Sequence, residues 1–254
     1  MKISLIQTAL EWENPAANRA NFTQLINGIT TTDLIILPEM FATGFTMNPS
    51  AVVETMDGDS VAWMVETAKA KNSAITGSLV IEEDGKYYNR LLFVYPDGEI
   101  KTYNKRHLFS YAEEDKFYTS GTEKLIIEYK GWKICPLVCY DLRFPVFARN
   151  VENYDLLLYV ANWPQVRTFA WDALLKARAI ENLSYTIGVN RVGQDGNGHA
   201  YSGHTQALDA LGSYVLDPTE EAGVFTIELD KDALEATRKR FAFLNDKDDF
   251  KLEL

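Results

Sequence analysis

Cys139 ends an apolar run, Ile134-Cys135-Pro136-Leu137-Val138. The polar turn Tyr140-Asp141-Leu142-Arg143 follows, then a stretch over 144–150 that reads as a helix. The run predicts a buried strand. A thiol at a strand-to-helix turn is held on a rigid support, with the N–H of the next residue, Tyr140, directed where an oxyanion would form. Free cysteines are among the most buried residue types, so packing is the simpler reading of a lone Cys unless other groups converge on it. A thiol nucleophile needs a base, an oxyanion trap and a proton for the leaving group. Three segments offer them. Glu39 follows the apolar run Leu34-Ile35-Ile36-Leu37 and Pro38. A carboxylate there is partly desolvated, which suits acid–base work. Lys105 follows Ile100-Lys101-Thr102-Tyr103-Asn104, and an ammonium beside the thiol would lower its pKa and hold an oxyanion. His107, two residues on, is a rival base, because thiol proteases pair Cys with His; the residues alone leave Glu39 and His107 both open. Glu114 lies in Glu113-Glu114-Asp115, which is either a solvated acidic face or the source of a second buried carboxylate that orients a water or the lysine.

These positions require strands to carry them. Patterning predicts strands over 2–7, 33–37, 74–81, 87–95, 100–104, 125–129, 132–138, 156–160, 185–189, 205–210, 213–216 and 223–229. Helices are predicted over 15–27, 59–71, 169–182 and 231–240. The Gly-rich stretch over 194–203 does not join a strand to a helix as a phosphate loop would, and reads as a plain loop or a site rim. The tail over 241–254 shows no clear element; a dimer contact and a pocket rim are both open to it. No linker or repeat interrupts the chain, so one α/β domain over 1–254 is expected, with two mixed sheets face to face and helices outside.

The 254 residues are 46% hydrophobic and 24% charged, with a formal charge of −11. That balance argues against nucleic acid as a partner, since phosphate binding needs clustered Lys and Arg. Residues 1–8 are too quickly polar for a signal peptide, and no apolar run approaches membrane-spanning length. Cys135 and Cys139 are the only cysteines. Four apart on one strand, they would lie roughly 13 Å from each other, too far for a disulfide. A cytoplasmic protein with free thiols is expected. That spacing suits no zinc site, and no other metal pattern occurs.

Three segments taken in order carry a resemblance: Leu37-Pro38-Glu39-Met40-Phe41, Tyr103-Asn104-Lys105-Arg106-His107-Leu108-Phe109 and Val138-Cys139-Tyr140-Asp141-Leu142-Arg143-Phe144-Pro145. Together the chain resembles the carbon–nitrogen hydrolase (nitrilase) superfamily. Ala161-Asn162-Trp163-Pro164 with Arg167, Ala177-Arg178-Ala179-Ile180-Glu181-Asn182 and Gly188-Val189-Asn190-Arg191-Val192-Gly193 resemble its bacterial omega-amidase branch, the 2-oxoglutaramate amidase type. The resemblance implies a four-layer αββα sandwich, a homodimer and a Glu39–Lys105–Cys139 triad. It also implies that His107 is not the base, and that a fourth site residue matches Glu114, with Glu113 one slip away. Activity would be hydrolysis of the side-chain amide of a small 2-oxo acid through a cysteine thioester, with Lys105 and the Tyr140 N–H on the oxyanion and no cofactor. Such a substrate carries a carboxylate, which the planar fork of an arginine matches. Arg167 is the first choice and Arg143 the second, since Arg143 could instead pair with Asp141. Phe45 and Trp163 would line the pocket or belong to the core. Other readings are a nitrilase, an N-carbamoyl amino acid hydrolase, an aliphatic amidase, a non-catalytic relative of the fold, or a redox sensor built on the two thiols.

Overall fold

The computed structural model describes residues 1–252. Its first sheet takes β1 (Lys2–Gln7), β2 (Leu34–Ile36), β3 (Ala74–Glu83), β4 (Lys86–Val94) and β5 (Ile100–Asn104). The second takes β6 (Ile127–Tyr129), β7 (Trp132–Val138), β8 (Leu156–Val160) and β9 (Tyr185–Val189). A short hairpin, β10 (Val192–Gln194) and β11 (Ala200–Ser202), follows. The chain then returns to the second sheet with β12 (Thr205–Leu208) and β13 (Tyr214–Thr219), and to the first with β14 (Gly223–Glu228). The strand orders are β14-β1-β2-β3-β4-β5 and β13-β12-β9-β8-β7-β6.

The two sheets repeat one pattern. In the first, β14–β1 is antiparallel, β1–β2–β3 is parallel and β3–β4–β5 is antiparallel. In the second, β6–β7 is antiparallel, β7–β8–β9 is parallel and β9–β12–β13 is antiparallel. The correspondence extends to the exits of the middle strands: Leu37 N–H donates to Thr76 O and Ala161 N–H to Val189 O, both at 2.8 Å.

Helices cover the outer faces. On the first sheet lie α1 (Pro15–Asn27) and, after the single turn α2 (Pro49–Val52), α3 (Asp59–Lys71). α1 has Pro15 in its first turn and is capped by the Asn14 side chain, which accepts from Ala17 N–H at 3.1 Å. Two further single turns are α4 (Glu114–Phe117), between the sheets in sequence, and α5 (Pro145–Ala148), between β7 and β8. The second sheet is covered by α6 (Thr168–Asn182); α7 (Lys231–Phe241) follows β14. Alternation along β2 shows the layering. Leu34 and Ile36 enter the central core shared by both sheets, whereas Ile35 and Leu37 pack outward with Phe22, Met64 and Ala68 of α1 and α3. This is the αββα four-layer sandwich.

Some expected boundaries move. The stretch over 144–150 is helical only as α5, after a 3₁₀ turn Cys139–Arg143. The expected loop over 194–203 contains the tip and second strand of the β10–β11 hairpin. Within the tail, 243–246 form a 3₁₀ turn and Leu252 packs against the central core; residues 253–254 of that segment lie outside the described residues.

Candidate active site

Both sheets deliver their strand ends to one place. Glu39 lies three residues beyond β2, Lys105 directly follows β5, Cys139 directly follows β7 and Asn162 lies two residues beyond β8. Lys105 N–H donates to Asn89 O at 2.9 Å, so the β4–β5 pairing sets the height of the lysine. Cys139 has φ +44° and Met40, next to Glu39, has φ +42°. Such left-handed backbone costs a non-glycine residue about 1–2 kcal/mol and persists only where the surroundings enforce it.

Glu39, Lys105 and Glu114 form a buried chain of charge. Lys105 Nζ donates to Glu39 Oε1 at 2.9 Å and to Glu114 Oε1 and Oε2 at 3.0 and 2.9 Å. Glu39 Oε1 also accepts from Asn89 Nδ2 at 2.8 Å, and its Oε2 from Asn162 N–H at 2.8 Å. Glu114 Oε2 accepts from Phe109 N–H at 2.5 Å. Glu114, and not Glu113, therefore meets the lysine; Glu113 is exposed and bonds Lys116. Burial would lower the Lys105 pKa, but the charges of Glu114 and Glu39 outweigh it and raise it. Glu114 is pushed up by burial first, against the pull of Lys105.

Cys139 sits on the floor of the cavity, with Sγ 3.9 Å from Asn162 O. Its pKa lies well above the ordinary thiol value, through burial first and then the charge of Glu39, with Lys105 opposing. Lys105 does pull the thiol pKa down, as expected of an ammonium beside it, but burial and the charge of Glu39 outweigh that pull and the net shift is upward. Tyr140 is in the first turn of the 3₁₀ segment, where an N–H has no carbonyl of its own turn to bond.

His107 is engaged elsewhere. Its Nδ1 lies 2.7 Å from Asp141 Oδ1, and its ring stacks on Phe144 at 3.7 Å. Asp141 Oδ2 accepts from Tyr103 Oη and Val138 N–H at 2.8 and 2.9 Å. Asp141 is thereby fully used, and the pairing with Arg143 considered from the sequence does not occur.

The cavity above the thiol measures about 320 Å³. Phe45, Trp163, Arg143 and Arg167 all line it. Phe45 lies 5.1 Å from Lys105 Nζ. The Arg143 guanidinium stacks on Trp163 at 4.9 Å and that of Arg167 on Phe109 at 5.1 Å. Neither pairs with a carboxylate among the described residues. The far wall is the β10–β11 hairpin, which contributes Asp195, Asn197, His199 and Tyr201. Asp195 is largely enclosed, yet its carboxyl stays below the usual range: burial raises it, but N–H bonds from His199 and Asn197 and the Tyr201 hydroxyl outweigh that.

Two residues of this site, Asn89 and Asn162, were not singled out from the sequence, and the stretch over 194–203, read as a plain loop or a site rim, lines the cavity as a hairpin. Asn162 carries the same signal that identified Glu39, a polar residue just past a buried apolar strand. Asn89 is a buried polar residue of β4, between Tyr88 and Arg90. The hairpin had no such mark, since its role comes from where it folds back. Among the described residues no cluster of metal-ligating side chains occurs, and no helix is long and apolar enough to cross a membrane.

The family model for carbon–nitrogen hydrolases matches residues 2–239. The chain is 44% identical over 253 residues to the omega-amidase YafV of Escherichia coli strain K12, covering 99% of this chain and 98% of that one. It is 31% identical over 203 residues to the 2-oxoglutaramate amidase of Bacillus subtilis strain 168, covering 78% of each. Among solved structures, a CN-hydrolase superfamily protein of Xanthomonas campestris with an arsenic adduct in its active site is 44% identical. It superposes with a TM-score of 0.98 over 100% of this chain and 99% of that one. Nit3 of Saccharomyces cerevisiae, at 22% identity and a TM-score of 0.84 over 95% and 94%, shares the fold.

Proposed function

The chain belongs to the carbon–nitrogen hydrolase family and hydrolyses carbon–nitrogen bonds other than peptide bonds; from that premise we propose that it is an omega-amidase. Its substrates are small 2-oxo acid monoamides, 2-oxoglutaramate and 2-oxosuccinamate, and its products the dicarboxylate and ammonia. The observation that carries this reading is the pairing of a buried Glu39–Lys105–Glu114 chain beside Cys139 with two unpaired guanidinium groups on the wall of the same small cavity. The first set suits amide cleavage; the second suits a substrate that keeps a carboxylate away from the reacting carbon.

Glu39 accepts the thiol proton as Sγ attacks the amide carbon, and the carbonyl oxygen becomes an oxyanion held by Lys105 and the Tyr140 N–H. The C–N bond then breaks, Glu39 returns the proton to the nitrogen, and ammonia leaves a thioester. Water attacks that thioester as Glu39 takes one of its protons. The C–S bond breaks, the thiol is reprotonated and the acid departs. Glu114 braces Lys105 and helps place the water. No cofactor enters this sequence. Arg167 is the first choice for the substrate carboxylate and Arg143 the second. Residues 1–254 act as one domain in a cytoplasmic homodimer, a reading supported by two free thiols and by exposed Ile180, Leu211 and Tyr214 near the outer side of α6; light scattering tests the dimer.

Ammonia release from both amides is measured for the wild type and Cys139→Ala. Cys-dependent release is expected. Turnover of nitriles or carbamoyl amino acids alone would keep the triad and remove the substrate; an unreactive Cys139 with no turnover would remove the enzyme reading.

A further inference from the structure

Asn162 is almost fully buried, lines the cavity beside Cys139 and is tied to Glu39 twice. Its N–H donates to Glu39 Oε2 at 2.8 Å and its Nδ2 to Glu39 O at 2.6 Å. The second bond fixes the side-chain amide: the atom facing a carbonyl oxygen at that distance must be the NH₂ group, so the other is Oδ1. That Oδ1 is buried and has no partner among the described residues. A buried acceptor left bare costs free energy, and natural sites rarely leave one without a use.

Among the other acceptors near the thiol, Asn162 O faces only Sγ, at 3.9 Å, and the carboxylate oxygens take donors. Glu39 Oε1 takes two donors and Oε2 takes one, leaving Oε2 for the thiol proton. Both Glu114 oxygens take Lys105. Asn89 Oδ1 is also bare, but Asn89 is not part of the cavity lining. A primary amide attacked at its carbon presents an oxygen that needs donors and a nitrogen with two N–H groups that need acceptors. Lys105 and Tyr140 serve the oxygen. We infer that Asn162 Oδ1 accepts an N–H of the scissile amide and thereby selects primary amides over esters of the same acid. The inference rests on the amidase reading of the site.

The test compares kcat/KM for a 2-oxo acid monoamide and the ester in which –OCH₃ replaces its –NH₂, which keeps the charge and the reacting carbonyl, adds one methyl group and has no N–H. In Asn162→Ala, amide turnover is expected to fall about tenfold further than ester turnover, the effect of leaving one buried N–H unpaired. Loss of the brace on Glu39 alone would lower both by one factor, and that result overturns the inference. Asn162→Asp, which keeps the acceptor oxygen, is expected to hold the amide-to-ester ratio near that of the wild type. Should neither variant fold, the Cys139→Ala chain is titrated with both compounds. Tighter binding of the amide is expected, and equal or weaker binding overturns the inference. A wild type that turns over neither compound would instead overturn the amidase reading.

Discussion

The chemistry of single residues here is set by what each has already bonded. Arg143 and Arg167 stack on aromatic rings and keep their N–H groups for a ligand, whereas Arg178 is buried and spends its Nη2 on Leu142 O at 2.6 Å, behind the nucleophile turn. Arg167→Ala is therefore expected to raise KM about 10- to 100-fold with a smaller change in kcat, because a charge-assisted contact to a carboxylate contributes about 1.5–3 kcal/mol. Arg143→Ala should do less; the reverse order in steady-state kinetics would exchange their roles. Cys139 illustrates a second cost. With φ +44° its backbone favours glycine. Cys139→Gly and Cys139→Ala should both lack activity, but the glycine variant should match or exceed the alanine variant in urea unfolding, by up to about 1 kcal/mol. A clearly less stable glycine variant would mean that the turn is not strained.

At the scale of elements, the site depends on contacts between segments distant in sequence. The β10–β11 hairpin forms one wall of the cavity, and its tip is seated on the ring of Trp12 from the loop after β1. A Cβ on Gly196 would lie 2.5 Å from Trp12 Cδ1. Buried Arg191 ties the same two segments, donating to Leu10 O and Gln194 O. Gly196→Ala must push the hairpin off a rigid ring. It should raise KM several-fold and leave kcat nearly intact, since Glu39, Lys105 and Cys139 stand at the ends of other strands. Equal losses in both constants would show that the hairpin shapes the reacting centre itself. Patterning left the pocket wall open between a plain loop and a site rim for this reason: Gln194-Asp195-Gly196-Asn197-Gly198 reads as a polar turn whatever it later touches. Strand and helix positions were legible because burial imposes period and length on them, while the helix expected over 144–150 shrank to one turn: Pro145 opens it, and the backbone leaves helical geometry at Arg149, with ψ +133°.

The whole molecule encloses both thiols, and this links stability to pH. Burial raises the pKa of Cys135 and of Cys139 above the ordinary 9.0. The folded chain therefore keeps protons that the unfolded chain releases above about pH 9. Stability present below that pH is lost as pH rises. A fully retained proton is worth about 1.4 kcal/mol per pH unit. Unfolding midpoints for the wild type and Cys135→Ala between pH 8 and 10.5 should show the variant losing stability less steeply, by up to that amount. Parallel slopes would mean that Cys135 reaches solvent.

By itself the sequence determined the family and the layered α/β architecture, and it pointed to Glu39, Lys105 and Cys139 as candidate site residues, the resemblance choosing Glu39 over His107. Each follows an apolar or alternating strand, and local patterning places strand ends. Tertiary structure decided the rest, because those questions turn on which partner a side chain finds across the fold. It put Glu114 rather than Glu113 on the lysine and gave His107 to Asp141. It freed Arg143 from Asp141 and brought Asn162 of one sheet against Glu39 of the other. It also turned the net shift of the thiol upward, since burial and the charge of Glu39 outweigh the pull of Lys105, and it made two carboxylates converge on one ammonium. Such convergence is a property of packed strand ends in three dimensions, and no spacing along the chain encodes it.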